Sequence, residues 1–168
     1  MFRSHTVDSA PAASRPLMEA TIAEFGQLAE PVARLAESPE TLDGFLHASH
    51  LFESSTLDPL SREVVVMTIA TRNGCRFCVT MHTGRLRKLE APAEMIKALR
   101  AGEPLEIERL EALRQFTARV LATTGEVPDE EIEEFLAAGY TTRNALEVVL
   151  GIGTYTMSTF ANRLVNVR

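Results

Sequence analysis

Both cysteines of the chain lie in one short motif, Cys75-Arg76-Phe77-Cys78, and His82 follows the second cysteine four residues later. The thiolate form of cysteine is both the nucleophile and the metal ligand, so two cysteines this close can do redox chemistry or bind a metal ion. Histidine exchanges a proton near neutral pH. The motif therefore predicts one reactive centre, built from a pair of thiols with an imidazole beside them.

The motif is predicted to lie at the start of a helix. Asn73-Gly74 is a helix stop, so a new helix begins near Cys75, where unpaired backbone N–H groups and the helix dipole stabilise an anion. Cys75, Cys78 and His82 then share one face, because they are three and four residues apart. A disulfide between the two cysteines is feasible there if the first helical turn relaxes.

Glu63 lies near the start of the preceding helix, just before a run from Val64 to Ala70 that is apolar on every side. The stretches from Glu63 to Arg72 and from Cys75 to His82 span about 13 Å and about 10 Å of helix. If the two helices fold back on each other, Glu63 comes level with His82 and near Cys78. Thiol, imidazole and carboxylate would then form the nucleophile, base and orienting group of a covalent catalyst. Because a buried carboxylate is costly without a partner, burial also favours this pairing.

Two other interpretations of the cysteines compete with a dithiol redox centre. The cysteines could be inert core residues. Alternatively, Cys75, Cys78 and His82 could bind zinc, with Glu63 or water as the fourth ligand, although a structural zinc site usually needs a second cysteine pair. Haem attachment requires histidine at position 79, which is valine, and thioredoxin-like chemistry requires a strand–helix–strand context that the chain does not show. We therefore favour the redox centre.

Composition excludes several classes of protein. The chain has 168 residues, 45% of them apolar and 24% charged, as in an ordinary globular domain. Its net charge of −6 argues against a nucleic-acid partner, and no apolar run is long enough to cross a membrane. Residues 1–16 lack the apolar region of a secretory signal, so we expect a cytoplasmic protein.

The rest of the sequence predicts an all-α fold with a single domain over residues 17–168, preceded by a flexible tail over residues 1–16. No hairpin signal or extended alternation of apolar and polar residues occurs. Prolines, capping residues and glycines divide the domain into helices. They are expected at about 17–31, 39–52, 59–72, 75–89, 93–100, 107–121, 128–139 and from Thr141 onward.

Two features near the C-terminus concern the last helix. Glu147 begins an apolar run much as Glu63 does, and this weak repeat places Thr159 and Asn162 where the first half has its two cysteines. The small residues within 151–157 indicate either close helix packing or a subunit interface, and we slightly favour the interface.

The pattern Glu63-x11-Cys75-x2-Cys78-x3-His82, which follows Pro59-Leu60-Ser61-Arg62, resembles that of the AhpD-like alkylhydroperoxidases. These proteins belong to the carboxymuconolactone decarboxylase superfamily. Residues 72–82 are close to the family signature, and the likeness extends over about 40–168, including Gly139-Tyr140 and the segment 160–164. The decarboxylase branch generally lacks the cysteines, so we do not expect decarboxylation.

The resemblance implies a compact helical thiol peroxidase that reduces organic hydroperoxides without a cofactor or metal. It also implies a homo-oligomer, a trimer or hexamer, and a dithiol reductant protein of lipoyl or thioredoxin-like type. Carried over by position, Cys78 attacks the peroxide and becomes a sulfenic acid. Cys75 supplies a proton and then closes the disulfide. Glu63 assists deprotonation of Cys78, with His82 in the relay.

Two points qualify the assignment of roles. The helix dipole favours Cys75 as the more acidic thiol, whereas the resemblance favours Cys78, which is nearer Glu63 and His82. The best-known members also carry a histidine just before the second cysteine, where this chain has Phe77. The alternative functions are a redox sensor that is not a peroxidase and a metal-binding helical oligomer.

Overall fold

The computed structural model describes residues 2–167, so that Met1 and Arg168 lie outside it, and every regular element in this range is helical. The prediction of an all-α fold is confirmed. One turn of 3-10 helix, Ala12–Ser14, precedes the α-helices. The α-helices are α1 Arg15–Phe25, α2 Glu30–Leu35, α3 Pro39–Glu53, α4 Pro59–Arg72, α5 Arg76–Lys88, α6 Ala93–Ala101, α7 Glu108–Thr123, α8 Asp129–Ala137 and α9 Thr142–Leu164.

The helix starts follow from local chemistry. The side chains of Ser38, Asp58 and Thr141 each accept a hydrogen bond from a backbone N–H in the first turn of α3, α4 and α9. Cys75 begins α5 in the same way, because its sulfur accepts from the N–H of Cys78. Between α4 and α5, Gly74 has a φ of 65°, a left-handed conformation that glycine adopts at little cost.

Helix α4 lies at the centre of the fold. It packs against α3, α5, α6, α7 and α9, and its apolar run from Val64 to Ala70 is buried except for the partly exposed Thr68. An amphipathic helix would leave one face in water, whereas the central run of α4 is apolar on all sides and is stable only when other helices surround it. The central position brings Glu63, at the start of this run, into the interior as well.

The N-terminal segment corrects the prediction of a flexible tail at 1–16. The N–H of His5 donates to the carbonyl of Ala33 at 3.0 Å, and the hydroxyl of Ser14 donates to the carbonyl of Ala36 at 2.7 Å. Composition did not indicate this docking, because hydrogen bonds to α2 and the turn after it, together with the small buried side chain of Ala10, hold the segment in place of an apolar stripe.

The first predicted helix is also shorter than the sequence suggested. Gly26, with a φ of 76°, ends α1 after Phe25, and α2 begins at Glu30. Met18 of α1 and Leu42 of α3 are fully buried in a second apolar cluster with residues of α2. The interruption lets two short helices, instead of one longer helix, cover this side of α3.

Gly151 marks the closest approach of α9 to the core. A Cβ atom at this position would lie 2.6 Å from Cε2 of Phe52 and 3.1 Å from Cγ1 of Val65, closer than van der Waals contact allows. Both neighbours are completely buried. The preference for a subunit interface was therefore wrong at Gly151, where close packing within one chain requires the glycine.

We predict that Gly151→Ala destabilises the protein by roughly 1–3 kcal/mol, since the added methyl group must displace a packed ring. Gly44→Ala is the matched control, because a Cβ on that helical glycine meets nothing within 4 Å. This control should stabilise the protein by up to about 1 kcal/mol through helix propensity. Urea unfolding measures both, and equal stabilities for the two variants would contradict the packing argument.

Candidate dithiol site

Cys75 and Cys78 form a disulfide at the start of α5. Their Cα atoms are 5.4 Å apart, within the usual range for a disulfide. Cys75 precedes the helix with extended backbone angles, φ −83° and ψ 91°, so only Cys78 belongs to the first turn. This is how the helix start accommodates a bond between residues three positions apart.

The surroundings of the disulfide are mostly apolar. Cys75 and Cys78 are only 2% and 3% exposed, and they pack with Ala70, Phe77 and Val79. One side-chain amide enters this environment, because Nδ2 of Asn162 on α9 donates to Sγ of Cys78 at 3.4 Å. Among residues 2–167, the site therefore combines two enclosed sulfurs with one polar side chain that donates a hydrogen bond to them.

Glu63 and His82 form a buried pair. Nδ1 of His82 lies 2.7 Å from Oε2 of Glu63, and the two side chains are 1% and 5% exposed. Because a carboxylate accepts hydrogen bonds, Nδ1 of His82 donates to Glu63, and in the neutral ring the lone pair is then on Nε2. The folding back of α4 and α5 thus brings together the acid and the imidazole that the helix lengths placed at the same level.

Arg85 provides a second partner for the buried acid. Its Nη1 atom is 3.5 Å from Oε1 of Glu63 and 2.8 Å from Oε1 of Glu53 on α3. Burial alone would lower the pKa of Arg85, but the carboxylates of Glu63 and Glu53 outweigh it and hold the pKa above its ordinary value. The guanidinium therefore stays charged and links the interior acid to one nearer the surface.

Tyr155 of α9 packs edge-on against the imidazole, with 5.6 Å between the centres of the Tyr155 and His82 rings. Burial is the main cause that raises the pKa of Tyr155 to about 12. The phenol consequently remains neutral and adds no charge beside the Glu63–His82 pair. Its ring limits the orientations that the imidazole can take.

The four residues predicted for the site form two contacting pairs, Cys75 with Cys78 and Glu63 with His82. Within residues 2–167 no hydrogen bond joins His82 to Cys78, although one helical turn separates them on α5.

The sequence did not lead us to predict two of these contacts, those of Arg85 and Asn162. Arg85 follows His82 by three residues on the same helix face, which could have indicated it. Asn162 was visible only as the counterpart of a cysteine in a weak repeat.

The zinc interpretation has no further support among the residues described. Over 2–167, no group of three or more His, Cys, Asp or Glu side chains is arranged to hold a metal ion. In the same range, no helix is both long enough and apolar enough to cross a membrane.

A double-mutant cycle should reveal the buried pair. We predict that His82→Leu destabilises the protein by about 3 kcal/mol, because it leaves the interior carboxylate without its closest partner. Adding Glu63→Leu should recover about 1–3 kcal/mol relative to the sum of the single changes. Urea unfolding of the oxidised protein measures the free energy of unfolding of the parent, of each single variant and of the double variant.

The matched control is the surface pair Lys97–Glu94, 3.7 Å apart and about three-quarters exposed, for which the same cycle should give a coupling close to zero. A coupling for Glu63 and His82 as small as that of the surface pair would contradict the assignment of a buried, hydrogen-bonded pair.

A curated protein matches part of this chain in sequence. Over 96 residues the chain is 27% identical to the uncharacterized protein YdfG of Bacillus subtilis (strain 168), which corresponds to 55% of this chain. The chain spans 65% of the length of that curated relative, slightly less than two thirds.

Two crystal structures share the whole architecture. An uncharacterized peroxidase-related protein from Ralstonia eutropha JMP134, described as an alkylhydroperoxidase AhpD core, superposes with a TM-score of 0.87 at 18% identity. The match covers 99% of this chain and 90% of that one. An uncharacterized peroxidase-related protein from Silicibacter sp. TM1040 superposes with a TM-score of 0.79 at 18% identity. That match covers 94% of this chain and 85% of the other. At this level of identity the likeness shows the fold.

The family model described as "Carboxymuconolactone decarboxylase family" matches residues 36–119, half of the chain. The matched range includes α3 to α6 and contains Glu63, Cys75, Cys78 and His82. With its AhpD-like helical architecture and its paired cysteines, the chain belongs to the carboxymuconolactone decarboxylase family.

Proposed function

We propose that this protein is a dithiol peroxidase that reduces organic hydroperoxides. The observation that carries the proposal is the Cys75–Cys78 disulfide enclosed at a helix start, one turn from the buried pair of His82 and Glu63. The apolar side chains around the sulfurs suit the carbon portion of an organic hydroperoxide better than a small polar oxidant. The peroxidase-related description of the structural relatives is consistent with this choice.

The reaction begins with both cysteines reduced. The thiolate of Cys78 attacks the terminal oxygen of the hydroperoxide, so an S–O bond forms as the O–O bond breaks. Cys75 gives its proton to the departing alkoxide, which leaves as an alcohol. The thiolate of Cys75 then attacks the sulfenic sulfur of Cys78, and the disulfide closes as hydroxide leaves. The hydroxide takes up the proton that was first removed from Cys78 and departs as water. The two thiols supply both electrons.

Glu63 and His82 are assigned to the movement of the proton. The hydrogen bond from Nδ1 of His82 to Glu63 leaves Nε2 as the basic nitrogen, one helical turn from Cys78. Glu63 orients the ring and stabilises its charged form once it has taken a proton. This arrangement supports deprotonation of Cys78 through His82, directly or by way of a water molecule.

A dithiol protein of lipoyl or thioredoxin-like type would return the enzyme to its reduced state. One of its thiolates attacks the Cys75–Cys78 bond to form a mixed disulfide, and its second thiol releases the reduced enzyme. The reductant protein leaves as a disulfide, so electrons pass from it to the hydroperoxide.

A redox sensor is the second candidate. Cys75 and Cys78 are at most 3% exposed, which slows their exchange with a protein dithiol and favours a disulfide that records oxidation without rapid turnover. The same chemistry forms the disulfide in both functions. They differ in whether a reductant protein reopens it fast enough for repeated cycles.

Thiol counting tests the proposal. One equivalent of cumene hydroperoxide should remove both thiols of the reduced protein, and dithiothreitol should restore them. Cys75→Ser should stop at a sulfenic acid that dimedone traps, whereas Cys78→Ser should keep its remaining thiol. Glu63→Gln should slow the loss of thiols roughly 100-fold, since it removes the negative charge that stabilises the imidazole once it has taken a proton.

Other outcomes of this experiment identify the alternatives. Thiols that ignore the hydroperoxide but exchange with dithiols would exclude the peroxidase. Rapid oxidation without repeated turnover, in the presence of lipoylated or thioredoxin-like reductants, would favour the sensor. Thiols that react only after a chelator is added would favour a bound metal ion.

We also propose that the chain forms the trimer or hexamer implied by the resemblance, through one face of α9. Leu146, Val149, Phe160 and Leu164 recur at helical spacing and are between 50% and 72% exposed. Gly153 lies on the same face, where a Cβ would meet nothing within 4 Å of its own chain. The stripe carries no charged residue, so a second copy of this chain is the partner that it fits.

We predict that Leu146→Glu combined with Val149→Glu converts an oligomer into a monomer, because each charge would be buried at the interface. Size-exclusion chromatography with light scattering measures the mass. The control is Ile107→Glu, which changes a 43% exposed residue just before α7 and should leave the mass unchanged. A monomeric parent protein, or an α9 variant that keeps its mass, would contradict this assignment.

A further inference from the structure

Asn162 contacts Cys78 from a helix that carries none of the predicted site residues. We infer that this amide is a further functional group of the dithiol site, which stabilises the Cys78 thiolate by donating a hydrogen bond to it. The inference deepens the proposed function and rests on it for the role of Cys78 as the attacking thiol. The hydrogen bond from Asn162 to Cys78 is observed in the structure and does not depend on the proposed function.

The contact joins two buried groups distant in sequence. Nδ2 of Asn162 is 3.4 Å from Sγ of Cys78, and the two residues are 2% and 3% exposed. The amide nitrogen has two hydrogens, and its second acceptor is Oγ of Ser158, also at 3.4 Å. Water has little access to this sulfur, so Asn162 supplies a donor that solvent would otherwise provide.

The oxygen of the Asn162 amide indicates that this side chain does more than fill space. Its Oδ1 atom is buried and has no hydrogen-bond partner among the described residues. An unsatisfied buried acceptor lowers stability, and an apolar side chain of similar size would avoid that cost. The contacts that this amide does make are through its N–H groups, and one of these points to Cys78.

Neighbouring hydrogen bonds fix the position of the amide. Asn73, just before the cysteine motif, donates through Nδ2 to Oγ1 of Thr159 at 3.0 Å. Arg163 donates through Nη1 to the carbonyl of Asn73 at 2.5 Å. Residues on both sides of Asn162 therefore tie α9 to the connection between α4 and α5, which holds the amide at the sulfur.

The chemical effect depends on the state of the sulfur. A thiol or disulfide sulfur is a weak acceptor, whereas a thiolate accepts a hydrogen bond strongly, so the donor stabilises the charged form most. Cys75 already receives the N–H of Cys78 at the helix start, at 3.4 Å. Asn162 gives Cys78 a donor of its own and thereby offsets the advantage that the helix start gives to Cys75.

Titration of the single thiol tests the inference. In a Cys75→Ser background, the ultraviolet absorbance of the thiolate reports ionisation of Cys78 without any reagent having to reach it. Asn162→Ala should raise the midpoint by about one pH unit, which is roughly a tenfold loss of thiolate near neutral pH. Asn162→Asp keeps the shape but removes the donor and adds a negative charge, so its midpoint should rise further.

The disulfide equilibrium provides a second readout. Losing the donor destabilises the thiolate, so at a pH above both midpoints, with both cysteines present, Asn162→Ala should shift the equilibrium with dithiothreitol roughly tenfold toward the disulfide. The control is Ser158→Ala, which removes the other acceptor of the amide and should leave the midpoint within a few tenths of a pH unit.

The variants leave every other ionisable group near the site in place. On the elements around Cys78 these groups include His82 and Arg85 on α5, Glu63 on α4 and Arg163 on α9. The changed midpoint of Asn162→Ala, which adds no charge, therefore reports the amide. Midpoints of Asn162→Ala and Asn162→Asp that equal the parent value would overturn the inference. Because the titration uses no peroxide, a shifted midpoint in a protein that ignores hydroperoxide would reject the peroxidase and keep the amide's role.

Discussion

The carboxylate of Glu63 cannot remain buried beside the core without partners, and both of its partners lie on α5. His82 at 2.7 Å and Arg85 at 3.5 Å therefore fix how far α5 slides along α4. That register also sets where Cys75 and Cys78 lie relative to the imidazole. Since Arg85 reaches Glu53 of α3 as well, the same pairing connects a third helix to the site. Burying one charge thus determines much of the geometry around the disulfide.

One face of helix α9 contacts both the core and the dithiol site. Gly151 lets it approach Phe52, Tyr155 packs against His82, and Asn162 reaches Cys78. These residues are four and seven positions apart, a spacing that keeps them on the same side of a helix. The close contact at Gly151 brings the axis of α9 near α4, and the later residues of that face consequently meet the dithiol. The opposite face is left with the exposed apolar stripe.

Opposing influences act on the two sulfurs. The start of α5 favours an anion on Cys75, whereas the amide of Asn162 favours one on Cys78, and the base His82 lies one turn from Cys78. Burial disfavours both thiolates, so each depends on its donor more than an exposed thiol would. In the proposed peroxidase this division suits a sequence of two attacks, first by Cys78 on the peroxide and then by Cys75 on the sulfenic acid.

The sequence alone determined the features that depend on near neighbours. Caps such as Asp58, the stop at Asn73-Gly74 and the apolar run of α4 set the helix boundaries, because their chemistry acts within a few residues. Glu63 and His82 lie at similar distances along the chain from the connection at Asn73-Gly74. Because helices have a fixed rise, this spacing predicted that the two side chains lie at the same level.

Only the tertiary structure decided the docking of His5 and Ser14 and the contact of Asn162 with Cys78. These contacts join residues far apart in the chain, and their partners depend on how whole helices cross, which no local pattern encodes.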